Sequence, residues 1–141
     1  MTDTLLDSDQ QALVVALMEA LEGGAHGPEL MRFFHPDVTQ IEYPSLIDPR
    51  LMHHDLAAMV AGSERGAGML AYQRYAVDRW IQSGDTVVCQ AQWQAKLAKD
   101  VGPLPKGLEF HTYSLLIFTF RDGLIVKQEA YDCYVPFASA A

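Results

Sequence analysis

Four side chains late in the chain have the types and spacing needed for proton transfer: His111 and Tyr113, then Asp132 and Tyr134. They stand on two alternating apolar runs, 108–121 and 124–135, that flank Asp122-Gly123, a dipeptide strongly favoured for two-residue β-hairpin turns. With Arg121 opposite Leu124 across that turn, the two-residue period of a strand sets His111 opposite Tyr134 and Tyr113 opposite Asp132, all on one face. A carboxylate or imidazole of shifted pKa can take and return a proton while a phenol donates to a developing oxyanion. Asp132 and His111 are therefore the candidate catalytic pair, and Tyr113 and Tyr134 the phenols that would orient a substrate. A single β-bulge between the turn and these residues would move Asp132 to the other face.

A second hairpin, 72–82 and 86–97, turns at Gly84-Asp85. Its alternation groups Trp80, Asp78 and Ala76 with Cys89, Ala91 and Trp93. Gln90, Gln92 and Gln94 fall on the opposite side, which suits a surface or a dimer contact. Trp80 and Trp93 are expected on the cavity wall; Asp78 on that side would add a second carboxylate there, but Val77 and Ile81, on the other side, make an equal apolar claim to the interior. Tyr43 and Ile41, from a short extended stretch, and Met59 and Leu56, from a helix, complete the expected lining. Cys89 and Cys133 lie in strand-like segments without metal or redox spacing, as expected of two buried free thiols. His53-His54-Asp55 invites a metal reading, but adjacent helical residues point about 100° apart and ligands come at i, i+3 or i+4. No metal and no cofactor are expected, and His53 is placed nearest the pocket rim.

The elements that must position these groups differ between the two halves. Ser8 and Gln11 form a capping pair, Leu13, Val14, Leu17, Met18 and Leu21 make an apolar stripe, and Gly23-Gly24 stops it, so a helix is expected over 9–22. Pro28 can open a second short helix carrying Leu30, Met31, Phe33 and Phe34, ended before Pro36. Asp48-Pro49 reads as a cap and first turn of a third helix running to Gly62. Helices followed by long antiparallel strands give an α+β class: a cone-shaped barrel in which a strongly curved, mostly antiparallel sheet wraps around three N-terminal helices. At 141 residues, half of them hydrophobic, the chain is one domain, 1–141, with core enough for one pocket.

Charge excludes several partners. Eighteen acids against ten Lys and Arg give a formal net charge of −8, which repels a phosphate backbone, and the bases are scattered singly rather than in a stripe. Nucleic acid and anionic membrane are poor partners. No apolar run approaches the roughly 18 residues of a membrane span and no leader-like segment is evident, so a soluble cytoplasmic protein is expected. Residues 1–64 carry 11 acids and two bases, an excess expected to coat the outside of the helices.

Four segments, Phe34-His35-Pro36-Asp37-Val38, Trp80 to Val87, Phe118 to Ile125 and Glu129-Ala130-Tyr131-Asp132, together resemble the SnoaL-like branch of the nuclear transport factor 2-like superfamily. They occur in the family's order and span roughly residues 10–137. The resemblance implies the cone-shaped fold and a homodimer, here through the outer sheet face. It also implies an acid/base aspartate on the late strands, at Asp132, and a pocket histidine on the strand before, at His111. Glu109, two residues before His111, departs from the neutral amide expected there. The superfamily holds polyketide cyclases, isomerases, dehydratases and binding modules, so fold alone does not set the reaction. The expected function is cofactor-independent acid/base chemistry, of isomerase, cyclase or lyase type, on a compact apolar molecule; the alternative is a non-catalytic ligand-binding or dimerisation module of the same shape.

Overall fold

The computed structural model describes residues 8–137. Helix α1 spans Asp9–Glu22. Ser8 Oγ accepts the Gln11 backbone N–H at 3.1 Å, satisfying one of the orphan donors of the first turn. Val14, Leu17 and Met18 are buried against the sheet, each burial being worth about 1.5–3 kcal/mol. A 3₁₀ helix follows over Gly27–Phe33, with Pro28 in its first turn. Gly27 has φ +65°, and its N–H donates to Ser63 Oγ at 2.8 Å, tying this turn to the next helix.

Strand β1, Phe34–Glu42, passes straight through Pro36. Its pairing with the last strand is interrupted between Phe34 and Thr39, so the proline removes no ladder donor. The helix expected from Asp48 is not formed there. The Asp48 carboxylate instead engages the Arg50 guanidinium at 2.8 and 2.9 Å and the Arg50 backbone N–H at 3.0 Å, and this leaves no acceptor for a helix cap. The chain turns, adds an edge strand β2, Met52–His54, antiparallel to β1, and only then enters α2, Leu56–Arg65. Asp55 is the true cap, its Oδ1 accepting the Ala58 N–H at 2.8 Å.

The two long hairpins are β3, Leu70–Ser83, with β4, Thr86–Leu97, and β5, Glu109–Arg121, with β6, Leu124–Tyr134. Asp122 and Gly123 both take positive φ, +54° and +78°, as the two-residue turn demands. One six-stranded sheet results, ordered β2-β1-β6-β5-β4-β3, with β1 parallel to β6 and the other pairs antiparallel. The fold is the expected α+β cone, with β2 and β3 as free edges rather than a closed barrel. Helix α1 packs on β3, and α2 on β1 and the 3₁₀ helix. The main core joins Val14, Leu17, Phe33, Val38, Val87, Cys89, Phe118 and Ile125; a second cluster holds Ala95, Leu97 and Phe110. Among the described residues no helix is long and apolar enough to cross a membrane.

Two bulges decide which side chains look inward. On β6, Phe120 pairs with Ile125 but Thr119 pairs with Lys127, which leaves Val126 as the extra residue. Beyond it every partner is displaced by one, so Asp132 sits opposite Ser114, not Tyr113. On β3, Val77 pairs with Ala91 and Arg79 with Gln90, so Asp78 is the inserted residue.

Candidate functional site

Inside the cone lies a cavity of two joined lobes. The sheet lobe, about 290 Å³, is bounded by Tyr75, Trp93, Ser114, Leu116, Phe118, Ala130, Asp132 and Tyr134, with Met18 of α1 above. The helix lobe, about 370 Å³, is bounded by Leu30, Phe34, His54, Leu56, Met59, Val60, Gly62, Ser63 and Arg65. Leu17, Leu21, Gln40, Glu42 and Gln128 line both and form the passage between them.

Asp132 is brought here by the Val126 bulge. Ser114 Oγ donates to its Oδ1 at 2.7 Å, leaving Oδ2 for a substrate. Burial pushes the Asp132 pKa up, and the Ser114 bond only partly opposes this. Glu42 reaches the passage from the end of β1. Although accessible on one side, it too is shifted up, mostly by burial and further by the Asp132 and Asp48 charges, with His54 pulling the other way. Tyr134 and Tyr75 are both pushed up, chiefly by burial and then by the Asp132 charge, so each keeps its proton near neutrality and serves as a donor. Gln73 props the wall: its Oε1 accepts Trp93 Nε1–H at 3.0 Å and the Tyr75 hydroxyl at 3.4 Å, while its Nε2 donates to the Leu21 carbonyl at 3.1 Å. Gln128 Oε1 is buried in the passage without a hydrogen-bond partner among the described residues, an acceptor free for a ligand.

Residues 14–128 match the SnoaL-like domain family. The chain belongs to that family. No curated protein sequence shows significant similarity to it. Among solved structures, a candidate polyketide cyclase, IdmH, from Streptomyces antibioticus superimposes with a TM-score of 0.69 at 20% identity, over 89% of this chain and 92% of that one. A candidate SnoaL-like polyketide cyclase from Jannaschia sp. CCS1 gives 0.70 at 16% identity, over 94% and 90%. AclR, a candidate hydroxylase from Streptomyces galilaeus, gives 0.67 at 18% identity, over 88% and 78%. These likenesses carry the fold.

Within this SnoaL-like domain the residues expected at the site are separated. Asp132, Tyr134 and Trp93 share the sheet lobe, and Met59 lines the helix lobe. Trp80 points inward but packs against the core and borders neither lobe. His111, Tyr113 and Tyr43 are on the outer face, so the expectation that His111 and Asp132 share a face is corrected. The His111 Nε2 lies 2.9 Å from Gln92 Oε1, and its ring lies 4.9 Å from that of Tyr113. Tyr43 stacks on Tyr131 at 4.2 Å and donates to Glu129 Oε2 at 2.8 Å. Asp78 faces outward too, accepting from Gln92 Nε2 at 3.1 Å. Cys133 is exposed, contrary to expectation, because the bulge that turns Asp132 in turns its neighbour out; Cys89 is buried as expected, its thiol pushed up to about 12 by burial.

Several lining residues escaped the sequence reading. Gln40 and Glu42 share the strand parity of the buried Val38, a signal open to reading, whereas Ile41 and Tyr43 have the opposite parity. Glu42 is thus an acid of the first half that does not merely coat the helices. Tyr75 was hidden by the Asp78 bulge. His54, not His53, looks inward, because both belong to a strand paired with Gln40 and Ile41 and not to a helix.

Proposed function

We propose that this SnoaL-like domain is a cofactor-independent acid/base enzyme, of isomerase, cyclase or lyase type, acting on a compact and largely apolar molecule. The observation that carries this reading is Asp132: a carboxylate held by a neutral hydroxyl, with no cation paired to it among the described residues, on the wall of a cavity that also presents phenols. Asp132 Oδ2 takes a proton from a carbon next to a carbonyl. The electron pair moves onto the carbonyl oxygen, which accepts a hydrogen bond from the Tyr134 hydroxyl. The resulting enolate either recovers the proton from Asp132 at a different carbon, or its carbon attacks an internal carbonyl carbon to close a ring, the C=O π pair moving onto that oxygen, which then takes the proton from Asp132. Such a base contributes about 10²–10⁴-fold and a single oxyanion donor about 10²–10³-fold. His111 has no part in it.

The test requires no knowledge of the product. A panel of cyclic and bicyclic ketones is incubated with the protein in D₂O, and deuterium entry next to the carbonyl is followed by proton NMR. Exchange catalysed by the wild type and lost in Asp132→Asn supports the reading. Exchange that persists in Asp132→Asn removes Asp132 from it, and exchange of no ketone in the panel favours the non-catalytic binding module.

The proposed partner on the outer face is a second copy of the chain. Tyr113, Leu115, Tyr131 and Val135 are exposed there, beside Gln90, Gln92 and Gln94 of β4. Amides and phenols both donate and accept, so this face is complementary to its own two-fold copy, whereas much of the remaining surface shares a net charge of −8. Sedimentation should give twice the chain mass for wild type and the single mass for Tyr113→Glu; a monomeric wild type at tens of micromolar would end this proposal.

A further inference from the structure

The cavity wall carries four ionisable groups besides its phenols: Asp132 in the sheet lobe, Glu42 in the passage, and His54 and Arg65 in the helix lobe. Arg65 is the permanent cation of the set and stands at the opposite end from Asp132. It belongs to the last turn of α2. Gly62, one turn earlier, has no side chain, and the Arg65 Nη2 lies 3.5 Å from where a Cβ would stand at that position. The guanidinium is thus folded back toward Gly62 at the solvent-exposed edge of the helix lobe.

Four of the other five arginines have partners; Arg79, exposed on β3, has none among the described residues but borders neither lobe. Arg50 pairs with Asp48, Arg121 with Asp37, Arg32 donates to the Glu29 carbonyl and lies over the Phe33 ring, and Arg74 covers Tyr72. Among the described residues Arg65 has no ion-pair, hydrogen-bond or ring partner. A planar fork of donors left open on a largely apolar wall fits a carboxylate or similar oxyanion. In a chain with eight excess negative charges, a locally placed cation also offsets the repulsion an anionic ligand meets.

We propose that Arg65 anchors the anionic end of an elongated, otherwise apolar substrate that runs from the helix lobe through the Gln40–Gln128 passage to Asp132. This rests on the reading of Asp132 as the reacting end, and it adds the substrate class: an apolar acid, not a neutral hydrocarbon or ester. The Arg65 guanidinium binds without taking part in the chemistry, so it sets KM more than kcat.

The probes are 2-naphthoate, 2-naphthylacetate and 4-phenylbutanoate, each against its primary amide, with dissociation constants measured by calorimetry. For the acid that binds best, the expected preference over its amide is about tenfold to a hundredfold, the range for a hydrogen bond to a charged group. Arg65→Gln should reduce the preference to near unity. Arg79→Gln, a control on the exposed outer side of β3, should leave it intact. No preference for any acid over its amide, or a preference that survives Arg65→Gln, overturns the proposal; loss in His54→Gln alone moves the anchor to His54 and overturns it equally. Asp132→Asn should lose deuterium exchange while its preference for the acid still depends on Arg65, so the anchor and the catalytic reading can fail separately.

Discussion

The inner and outer faces of the β4–β6 sheet draw on the same kinds of residue and use them differently. Both carry carboxylates, phenols and amides, alternating along the same strands. On the outer face Glu129 is partnered by the Tyr43 hydroxyl and, at 3.7 Å, by Lys127, and Asp78 of the neighbouring β3 by Gln92, while Glu109 is exposed to solvent. On the inner face Asp132 has, among the described residues, only the Ser114 hydroxyl as a polar partner and the Phe118–Leu116 floor beside it. Burial without a counter-charge disfavours its ionised form and raises its pKa above the ordinary carboxylate value. The difference is one of environment, not of residue type, and two unpaired residues, Val126 and Asp78, determine which residues receive which environment.

The largest expected effect separates the two faces directly. Asp132→Asn should lower the deuterium-exchange rate about 10²–10⁴-fold, the contribution of a positioned acid/base group. Asn keeps an oxygen for Ser114, so folding should be retained. His111→Gln, on the outer face, should leave the rate within about twofold, since it touches nothing in the cavity. A large loss in His111→Gln with none in Asp132→Asn would reverse the assignment of faces.

The second effect concerns stability. Phe118 is 1% exposed under α1 and Leu115, three residues before it and facing the other way, is 39% exposed. Phe118→Ala should cost about 3–5 kcal/mol in urea unfolding, and Leu115→Ala no more than about 0.5 kcal/mol at low protein concentration. If the cost of Leu115→Ala grows with protein concentration, the outer face is covered by a second copy and the contrast becomes one between two kinds of burial.

Where the sequence could be read, the signals were local. The Ser8 cap with Gly23-Gly24 bounds α1, Pro28 opens the 3₁₀ turn, and Gly84-Asp85 and Asp122-Gly123 place both hairpins. The third helix failed on a side-chain competition: Arg50 occupies the Asp48 carboxylate, and Asp55 takes over the capping. Face assignments failed for a different reason. Alternation counted from a turn holds only to the first bulge, and a single inserted residue inverts every side chain beyond it. Trp80 lies between its turn and the Asp78 bulge, so its inward direction was legible. Asp132 and Tyr134 lie beyond Val126, as do their partners, so His111 and Tyr113 were grouped with them across an inversion that only the full sheet, with β1 docked parallel on β6, reveals.

The smallest expected effect is the dependence of stability on pH, and it too contrasts a buried with a solvated carboxylate. The Asp132 pKa is raised on folding, so between its ordinary value near 4 and the raised one the native state binds more protons than the unfolded state. The slope of unfolding free energy with pH is then negative: the contribution is present at low pH and is lost as pH rises through the folded pKa. Glu42 acts in the same direction. Asp48 is the reverse case, its pKa held down to about 2 by hydrogen bonds from Arg50, so its stabilisation is present above pH 4 and fades as pH falls toward 2. Its exposure keeps that term small. Thermal midpoints recorded from pH 2.5 to 7 should show Asp132→Asn matching wild type at the acid end and melting higher at pH 7, because the mutant no longer buries an unpaired charge and also relieves the repulsion felt by Glu42. Asp48→Asn should match wild type at the acid end and melt slightly lower at pH 7. A wild-type Asp132 that stabilises the fold at pH 7 would mean that it is paired after all, and the distinction drawn between the two faces would lose its physical basis.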